Sequence, residues 1–398
     1  MLKKKICVIG LGYIGLPTAA LLANRGYNVH GVDVVQSTVD IINRGEIHIV
    51  EPGLDTFVKS AVKSSKLKAN LKPTEADIFI IAVPTPFHEG FVPNIDYVIS
   101  ATKSIAPYVK DGNIVILEST SPVGTTDKVE ETLKENAIDT SKLYVAHCPE
   151  RVLPGHIMIE LVQNDRIVGG TTDASTKITA EFYRDFVEGE VLETDAKTAE
   201  MAKLTENSFR DTNIAFANEL SILCDKFGIN VWELIRLANR HPRVNILQPG
   251  AGVGGHCIAV DPWFLVYAGG SDAKMIRTAR EVNTYKTEWA IEKIKNAALA
   301  FENGNGKKAK IACMGLAFKP DIDDLRESPA LFITKRLIAD GLEVLAVEPN
   351  IATYKDIEIV DYKKAIEQAD IVTFLVAHKE FTDLKVNDAL DFCGVLNK

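Results

Sequence analysis

The sequence has no long hydrophobic run, no excess of basic charge and no clustered cysteines. No apolar stretch approaches the roughly 18 residues that a membrane-spanning helix needs, so we expect no membrane partner. The N-terminal run from Ile6 to Ile9 is too short for the core of a signal peptide, and we expect a cytoplasmic protein. Six cysteines are spread over 398 residues without a CxxC pair or a His/Cys cluster, which predicts reduced thiols and no metal site.

Charge and length exclude further classes of protein. With 45 Lys and Arg against 54 Asp and Glu, the formal net charge is −9, which argues against nucleic acid as the main partner. An anionic small ligand is still possible, because a few Arg and Lys can dominate one pocket. A chain of 398 residues is too long for one compact core and predicts two or three domains.

The first third of the chain alternates short apolar runs with amphipathic stretches. This pattern is typical of a parallel sheet with helices on both faces. The predicted strands are Ile6–Ile9, Asn28–Val32, Ile78–Val83, Ile114–Leu117 and Tyr144–His147. We expect a Rossmann-like NAD-binding domain over residues 1–195.

The middle of the chain has a helical pattern. From Lys197 to Phe227 there is neither glycine nor proline, and apolar residues recur at helical spacing, so we expect one long helix. Shorter helices are predicted at Val231–Ala238, Ala273–Thr284 and Glu288–Ala300. We expect this region, residues 196–301, to join two domains and to provide a dimerisation surface.

A second α/β pattern follows the polar, glycine-rich segment Glu302–Lys308, which predicts a linker. The elements predicted after it are strands at Lys310–Leu316, Glu343–Val347 and Ile371–Val376 and helices at Pro329–Ala339 and Tyr362–Gln368. They indicate a smaller Rossmann-like domain over residues 302–398. The expected fold is therefore α/β, with two Rossmann-like doubly wound domains joined by a long central helix and a helical middle region.

A glycine-rich turn follows the first predicted strand and opens a helix. In it Gly10 permits a tight turn, Gly12 lets a pyrophosphate approach the backbone, and Gly15 permits close packing of helix on strand. Tyr13 and Ile14 complete the turn, and the helix N-terminus offers its N–H groups to phosphates. The motif predicts a dinucleotide site.

Asp33 indicates which dinucleotide binds. It closes the second predicted strand, where a carboxylate accepts hydrogen bonds from ribose hydroxyls and repels a 2′-phosphate, so NAD is favoured over NADP. The alternative is a helix-capping role. Thr85 and Thr120 follow the third and fourth predicted strands, where we expect the nicotinamide half. Turn formation or N-capping explains each threonine equally well.

Cys257 follows a loop that has four glycines from Gly250 to Gly255, which lets backbone come close to a ligand. This loop and the acid Asp261, four residues after the cysteine, favour a nucleophilic thiol over the usual buried, inert cysteine. The other five cysteines are predicted to be structural. His256 is also predicted to be structural, because side chains adjacent in sequence usually point apart.

The long predicted helix carries a polar stripe. Lys203 and Asn207 are four residues apart, and Arg210 follows on roughly the same side. A lysine and an asparagine held together can stabilise an alkoxide or a tetrahedral oxyanion, and a solvated surface is the alternative.

Two groups of residues are candidates for anion binding. One is the basic turn Arg240–Arg243, and the other comprises Phe318, Lys319 and Arg326, which follow the first strand of the last domain. Guanidinium groups suit diphosphate recognition, while surface charge is the alternative for any one of them.

These motifs resemble, in one order along nearly the whole chain, those of the UDP-glucose/GDP-mannose dehydrogenase family. They are GLGYIGLP, VPTP, STSPVGTT, CPER, KLTENSFRDTNIAFANEL, GVGGHCIAVDP and GLAFKPDIDDLRESP. The stretch from Asn239 to Leu265 is similar to family members that act on UDP-N-acetyl-D-mannosamine, and members that act on UDP-N-acetylglucosamine are similar there too.

The resemblance implies NAD-dependent, four-electron oxidation of a UDP-N-acetyl hexosamine at C6, with two NAD consumed per sugar. Cys257 is similar to the nucleophile that holds the aldehyde as a thiohemiacetal and then as a thioester. Lys203 is similar to the proton donor and acceptor, Asn207 to a residue that holds the reacting oxygen, and Asp261 to an acid near the thiol. The long predicted helix indicates a homodimer or higher homo-oligomer, while a buried helix within a monomer is the alternative.

The resemblance further implies which residues bind the two ligands. The substrate-binding residues would be Glu150, Arg151, Val152, Lys203, Asn207, Arg210, His241, Arg243, Gly254, Phe318 and Lys319. Arg326 would contact the cofactor.

The sequence departs from the family at two places. Pro154 stands where glucose-type members often have a second glutamate, so we expect Asp261 and Thr120 to assist hydrolysis. The chain ends at Lys398, where family members usually continue through another strand.

Two other classes of protein share part of this pattern. An enzyme of the 6-phosphogluconate or β-hydroxyacid dehydrogenase type needs neither Cys257 nor a second α/β domain, and it forms one NADH per substrate. A non-catalytic sensor would bind NAD or a nucleotide sugar without turnover. The joint presence of Cys257, Lys203, Asn207 and Asp261 favours the four-electron enzyme.

Overall fold

Two units make up the chain, one with a mainly parallel sheet and the other with a parallel sheet. The computed structural model describes residues 4–255, 257–355, 357–386 and 388–396. The first unit comprises residues 1–205 and the second residues 206–398. Among the described residues, no helix combines the length and apolar character that crossing a membrane demands.

The first unit has an eight-stranded sheet and a small hairpin. Its strands are β1 Lys5–Ile9, β2 Asn28–Val32, β3 Leu67–Asn70, β4 Ile78–Ile81, β5 Phe87–His88, β6 Val92–Pro93, β7 Ile114–Leu117, β8 Tyr144–His147, β9 Arg166–Gly170 and β10 Val191–Asp195. Its helices are α1 Gly15–Asn24, α2 Gln36–Asn43, α3 Leu54–Lys63, α4 Asp96–Ile105, α5 Thr125–Glu135, α6 Ile157–Gln163, α7 Asp173–Arg184 and α8 Ala196–Phe227, which continues into the second unit.

The large sheet is buried on both faces. Its strand order is β10-β9-β8-β7-β4-β1-β2-β3, and neighbours are parallel except β8 and β9. Successive side chains of a strand point to opposite faces. Ile6 and Val8 of β1 accordingly lie in one hydrophobic cluster, while Cys7 and Ile9 lie in another. The order reverses at β1 and β4, the point at which nucleotides bind in such sheets.

The second unit has a parallel sheet of four strands in the order β12-β11-β13-β14. These strands are β11 Lys310–Met314, β12 Glu343–Val347, β13 Ile371–Phe374 and β14 Leu390–Asp391. The helices of this unit, after the end of α8, are α9 Val231–Ala238, α10 Asp261–Gly269, α11 Lys274–Asn305, α12 Pro329–Ala339 and α13 Tyr362–Gln368. Helices α11 and α12 pack on one face of the sheet and α13 on the other. The predicted α/β class is confirmed.

Several predicted boundaries were wrong. The two helices predicted on either side of Tyr285 are one helix, α11. Lys286, which lies in the predicted gap, is a buried residue of this helix, with its Nζ 3.8 Å from the centroid of the Trp289 ring. The predicted linker begins too early, since α11 continues to Asn305 and ends at Gly306, which adopts a left-handed φ of 67°. Strands β3, β9 and β10 were missed, because short strands with polar or glycine residues give a weak alternating pattern.

Candidate active site

The glycine turn after β1 is tightly packed at Gly10 and Gly15 and open at Gly12. A Cβ added to Gly10, whose φ is 91°, would lie 2.4 Å from the carbonyl oxygen of Ala82. A Cβ on Gly15 would lie 1.8 Å from the carbonyl oxygen of Gly10, so neither glycine can be replaced without displacing backbone. A Cβ on Gly12 would meet nothing within 4 Å. The turn therefore has room for a ligand at Gly12, as a dinucleotide pyrophosphate requires.

Asp33 holds this turn through its carboxylate. One carboxylate oxygen accepts a hydrogen bond from the Leu11 N–H at 3.2 Å, and the other accepts one from the Val35 N–H at 2.9 Å. The side chain is only half-buried, and each oxygen has a second lone pair for a ribose hydroxyl. Tyr13 is exposed and Ile14 half-buried, immediately before α1 begins. This arrangement fits the adenosine half of NAD.

Thr85 and Thr120 are brought together at the carboxyl ends of β4 and β7. The Thr85 hydroxyl donates a hydrogen bond to the backbone carbonyl of Thr120. Ser119 also joins the two strand ends by donating from its hydroxyl to the Val83 carbonyl at 2.7 Å. Both threonines are half-buried. They lie where ligands bind in open α/β sheets, and contact with the nicotinamide half stays a prediction.

A buried charged group stands beside these strand ends, and sequence reasoning missed most of it. Glu150 is 6% exposed and forms an ion pair with Arg166 at 2.7 Å. The Tyr183 hydroxyl donates to the carboxyl of Glu118 at 2.7 Å. Burial and the nearby Glu150 raise the pKa of Glu118 to about 7, although Arg166 opposes the shift. The signal that could have found Glu118 is a charged residue directly after a buried strand.

The segment after Glu150 is fixed from inside the domain. The second Glu150 oxygen accepts from the Arg151 N–H at 2.7 Å, and the Arg151 guanidinium donates to the Asp165 carbonyl at 3.2 Å. Val152 packs against the hydrophobic core. Glu51, also missed from sequence, is 4% exposed and accepts hydrogen bonds from two backbone N–H groups where α6 begins. The Glu150 carboxylate thus shapes the segment that the resemblance assigns to substrate.

Asn207, Asp261 and Cys257 are linked by hydrogen bonds in the second unit. The Asn207 side-chain amide donates to the Asp261 carboxylate, and the Asp261 N–H donates to the Cys257 carbonyl at 2.8 Å. Asn207 and Asp261 are buried, and Cys257 is half-buried. Lys203 is half-buried one turn before Asn207 in α8, and Arg210 is exposed one turn after it. The structure therefore groups three of the four predicted catalytic residues.

The other five cysteines have the properties of structural residues. Burial raises the pKa of the Cys7 and Cys313 thiols to about 11 and that of Cys148 to about 12. Burial also raises the pKa of Cys224 and, more strongly, that of Cys393. Thiols with such raised pKa values are poor nucleophiles at neutral pH, so a structural role fits all five.

The glycines before Cys257 are packed against another loop of the same unit. A Cβ on Gly254 would lie 2.5 Å from the Glu327 carbonyl oxygen, and one on Gly255 would lie 2.8 Å from the Phe318 ring. The Gly255 N–H donates to the Arg326 carbonyl at 3.1 Å. These glycines were predicted to admit a ligand. The structure shows a second reason for glycine at positions 254 and 255, because the Phe318–Pro329 loop leaves no room there for a side chain.

A buried polar network anchors the start of the glycine loop. Asn218 on α8 is 0% exposed, accepts from the Gly250 N–H and donates to the side-chain oxygen of Asn283, both at 2.9 Å. Asn283 and Arg280 on α11 both donate to the Asp211 carboxylate at 2.7 Å. This network was not predicted from the sequence. Polar residues on the buried face of a long helix were the available signal.

The remaining predicted ligand contacts are at the surface of the second unit. His241, Arg243 and Lys319 are exposed, and the His241 ring accepts a hydrogen bond from the Arg243 N–H at 3.3 Å. Phe318 is half-buried. The Arg326 guanidinium donates to Asp324 at 2.9 Å. His256 lies outside the described residues.

Comparison with known proteins places the chain in a family. The NAD binding domain of the UDP-glucose/GDP-mannose dehydrogenase family matches residues 4–187. The central domain of that family matches residues 197–285, and its UDP binding domain matches residues 312–394. The chain belongs to the UDP-glucose/GDP-mannose dehydrogenase family. The predicted family, the enzyme class and NAD as cofactor are thereby confirmed.

Similar proteins in this family act on amino sugars, as their names state. The UDP-N-acetyl-D-mannosamine dehydrogenase of Campylobacter jejuni is 56% identical over 98% of this chain and 99% of its own length. An NDP-N-acetyl-D-galactosaminuronic acid dehydrogenase of Ralstonia solanacearum is 53% identical over 96% of this chain and 92% of its own length. The solved UDP-D-ManNAc dehydrogenase of Pyrococcus horikoshii is 38% identical, with a TM-score of 0.91 over 99% of this chain and 96% of its own.

Proposed function

We propose that this dehydrogenase oxidises C6 of UDP-N-acetyl-D-mannosamine to the carboxylate of UDP-N-acetyl-D-mannosaminuronate. The observation that supports it best is the 56% identity over nearly the full length to a UDP-N-acetyl-D-mannosamine dehydrogenase. The hydrogen-bonded group of Asn207, Asp261 and Cys257 supports an oxidation that passes through a covalent intermediate. A UDP-N-acetylglucosamine 6-dehydrogenase remains the alternative.

The cofactor is assigned mainly to residues of the first unit. The open space at Gly12 and the half-buried Asp33 carboxylate support binding of the pyrophosphate and the ribose. Bound NAD supplies the hydride acceptor for both oxidations. Thr85 and Thr120 are assigned to the nicotinamide half, and Arg326 to a further cofactor contact.

The chemical steps are assigned to four residues. Lys203 removes the C6 hydroxyl proton as hydride leaves, and Asn207 holds the oxygen. The Cys257 sulfur then bonds to the aldehyde carbon and the oxygen takes a proton, which gives a thiohemiacetal. Transfer of that proton to Lys203 and of a second hydride to NAD would leave a thioester. Water attacks the thioester with help from Asp261, the C–S bond breaks, and the thiol regains its proton.

The substrate is assigned to two sets of side chains. Glu150, Arg151 and Val152 belong to the first set, in which the buried Arg166 ion pair fixes the backbone. The second set follows Asn207 in the sequence and comprises Arg210, His241, Arg243, Gly254, Phe318 and Lys319. Exposed Arg and Lys side chains in this set suit a diphosphate.

We also propose that the enzyme is cytoplasmic and acts as a homodimer or higher homo-oligomer, with domains at residues 1–195, 196–301 and 302–398. Phe209, Phe216 and Leu223 on α8 are seven residues apart and leave 68%, 52% and 43% of their surfaces exposed. A stripe of this kind supports a second copy as its partner. Sedimentation of Phe216→Glu beside the wild type tests the assembly. We expect the wild type to sediment as an oligomer and the Phe216→Glu variant to dissociate.

The stoichiometry of NADH formation tests the function. We expect two NADH per UDP-N-acetyl-D-mannosamine and little turnover with UDP-N-acetylglucosamine, UDP-N-acetylgalactosamine, UDP-glucose or GDP-mannose. Cys257→Ser should stop acid formation while NAD still binds, whereas Cys393→Ser, at the other half-buried cysteine, should behave as wild type. One NADH per sugar, or full acid formation by Cys257→Ser, would contradict the covalent route. Turnover of another sugar alone would correct the substrate.

A further inference from the structure

The second sheet repeats the turn that begins the first. Gly315 follows β11 as Gly10 follows β1, and their φ values are 96° and 91°. The Gly315 N–H donates to the Val347 carbonyl at 2.9 Å, and the Gly10 N–H donates to the Val32 carbonyl at 2.8 Å. The two turns therefore leave their sheets in the same way, each bonded to the end of the neighbouring strand.

An acidic residue follows that neighbouring strand in both units. Asp33 accepts from the N–H after its glycine and from the N–H two residues beyond itself. Glu348 does the same, accepting from the Leu316 N–H at 2.8 Å and the Asn350 N–H at 3.0 Å. The first turn offers such a carboxylate to a ribose.

Glu348 is already occupied by the protein. It is 3% exposed, whereas Asp33 is half-buried. Its Oε2 accepts a second backbone hydrogen bond from the Ala317 N–H at 2.9 Å and a third from His378 Nε2 at 3.0 Å. Because a carboxylate oxygen has two in-plane lone pairs, three donors leave Oε2 no place for a ribose hydroxyl. Glu348 is therefore a part of the loop scaffold.

His378 holds the other end of the same loop. It is 0% exposed and lies in the segment after β13. Although His378 is 30 residues from Glu348 in the sequence, the two side chains are in contact. Its Nδ1 accepts from the Asp321 N–H at 2.9 Å. A backbone N–H can only donate, so the ring carries its proton on Nε2 and donates that proton to Glu348. The Asp321 carboxylate in turn accepts from the Lys379 N–H at 2.9 Å.

We propose that Glu348 and His378 are positioning residues for nucleotide-sugar binding, an inference that rests on the proposed function. Together they fix backbone N–H groups on both sides of Phe318 and Lys319, the residues assigned to the substrate. The Phe318 ring packs on Gly255, two residues before Cys257. The pair touches no substrate and sets the position of the loop that does.

The test measures UDP binding as well as turnover. In Glu348→Gln one carboxylate oxygen becomes an amide NH2 group, which faces backbone N–H donors. In His378→Asn the side-chain oxygen can still accept from the Asp321 N–H, but the hydrogen bond to Glu348 is lost. We expect the Kd for UDP and the KM for the UDP-sugar to rise by about tenfold, since each change removes a charge-assisted hydrogen bond. The kcat at saturation should stay within about threefold, and the Kd for NAD should not change.

A matched control separates positioning from stability. Thr373→Val removes a buried hydrogen bond between Thr373 of β13 and the Ala312 carbonyl of β11, and it changes none of the hydrogen-bond partners of Glu348 or His378. It should lower Tm as much as the two test variants and leave UDP binding as in the wild type. Unchanged UDP binding in folded His378→Asn would overturn the proposal. If wild type binds UDP but oxidises another sugar, only the proposed substrate fails. If it binds no UDP, both proposals fail.

Discussion

Asn207 donates a hydrogen bond from its side-chain amide to the carboxylate of Asp261, and the two side chains are 8% and 4% exposed. Asp261 is the first residue of α10, where the helix dipole stabilises a negative charge. The carboxylate holds the Asn207 amide with its nitrogen toward Asp261, because the opposite orientation would place the amide oxygen against a carboxylate oxygen, and both are acceptors. The backbone N–H of Asp261 also donates to the Cys257 carbonyl, so Asp261 connects the Asn207 amide to the backbone of Cys257.

Asp261→Asn tests this connection. The variant keeps the N–H bond to Cys257 but replaces the buried carboxylate with a neutral amide. That amide can pair with Asn207 in either orientation, so the Asn207 amide is no longer held in one direction. We expect kcat to fall on the order of a hundredfold, as when a donor to a reacting oxygen is lost, while the Kd for NAD is unchanged. Steady-state kinetics and NAD titration measure both. Asp272→Asn, at an exposed acid after α10, is the control, and equal kcat values for the two variants would refute the role.

Asn218→Ala tests the anchor of the glycine loop. The substitution leaves the Gly250 N–H and the Asn283 side-chain oxygen buried without their partner. We expect the free energy of unfolding to fall by about 2–4 kcal/mol, from two unsatisfied groups. Alkylation of Cys257 should also change in rate, because its loop loses a fixed end. Chemical denaturation and iodoacetamide kinetics report the two effects. Asn305→Ala, at an exposed helix end, should alter neither.

Glycine substitutions separate packing from cofactor binding in the first unit. Gly15→Ala should destabilise the fold, because its Cβ would lie 1.8 Å from a carbonyl oxygen. Gly12→Ala has open space and should fold normally, yet bind NAD about tenfold or more weakly, since the methyl group occupies the approach of the pyrophosphate. Thermal unfolding and NAD titration distinguish the two. Wild-type NAD affinity in Gly12→Ala would place the pyrophosphate elsewhere.

Glu118 makes stability depend on pH near neutrality. Its pKa is raised to about 7 by burial and by Glu150, so the folded state binds a proton that the unfolded state releases above its ordinary pKa of about 4.5. The native state then binds more protons, and the free energy of unfolding falls as pH rises from about 4.5 to about 7. The stability lost over this range is about 3 kcal/mol, which corresponds to the difference between pKa values of 4.5 and about 7.

Glu118→Gln should remove that dependence. The amide oxygen still accepts from the Tyr183 hydroxyl, and the side chain no longer titrates. The stability of this variant relative to wild type should therefore rise between pH 5 and pH 8, as measured by urea unfolding across that range. Glu135→Gln, on the exposed face of α5, should run parallel to wild type. A constant difference between Glu118→Gln and wild type would show that the carboxyl is charged throughout.

Much of the fold could be predicted because its signals are local. The strands β2, β7, β8 and β12 and the helices α9, α12 and α13 lie where the sequence places them, since apolar runs and glycine or proline boundaries mark them. Gly10 and Gly15 were predicted from spacing alone, and the structure gives the steric reason for each. Cys257 and Asp261, four residues apart, were likewise paired from sequence and are joined by a backbone hydrogen bond.

The sequence by itself determined the two α/β patterns, the cofactor turn, the nucleophile candidate and, through its ordered motifs, the family. Only the tertiary structure decided that Glu348 meets His378, that Asn218 anchors the glycine loop, and that Glu118 is buried beside Glu150. Propensities and motifs are properties of neighbours along the chain. These contacts depend instead on the order of parallel strands and the packing of long helices, which bring together side chains that are distant in sequence.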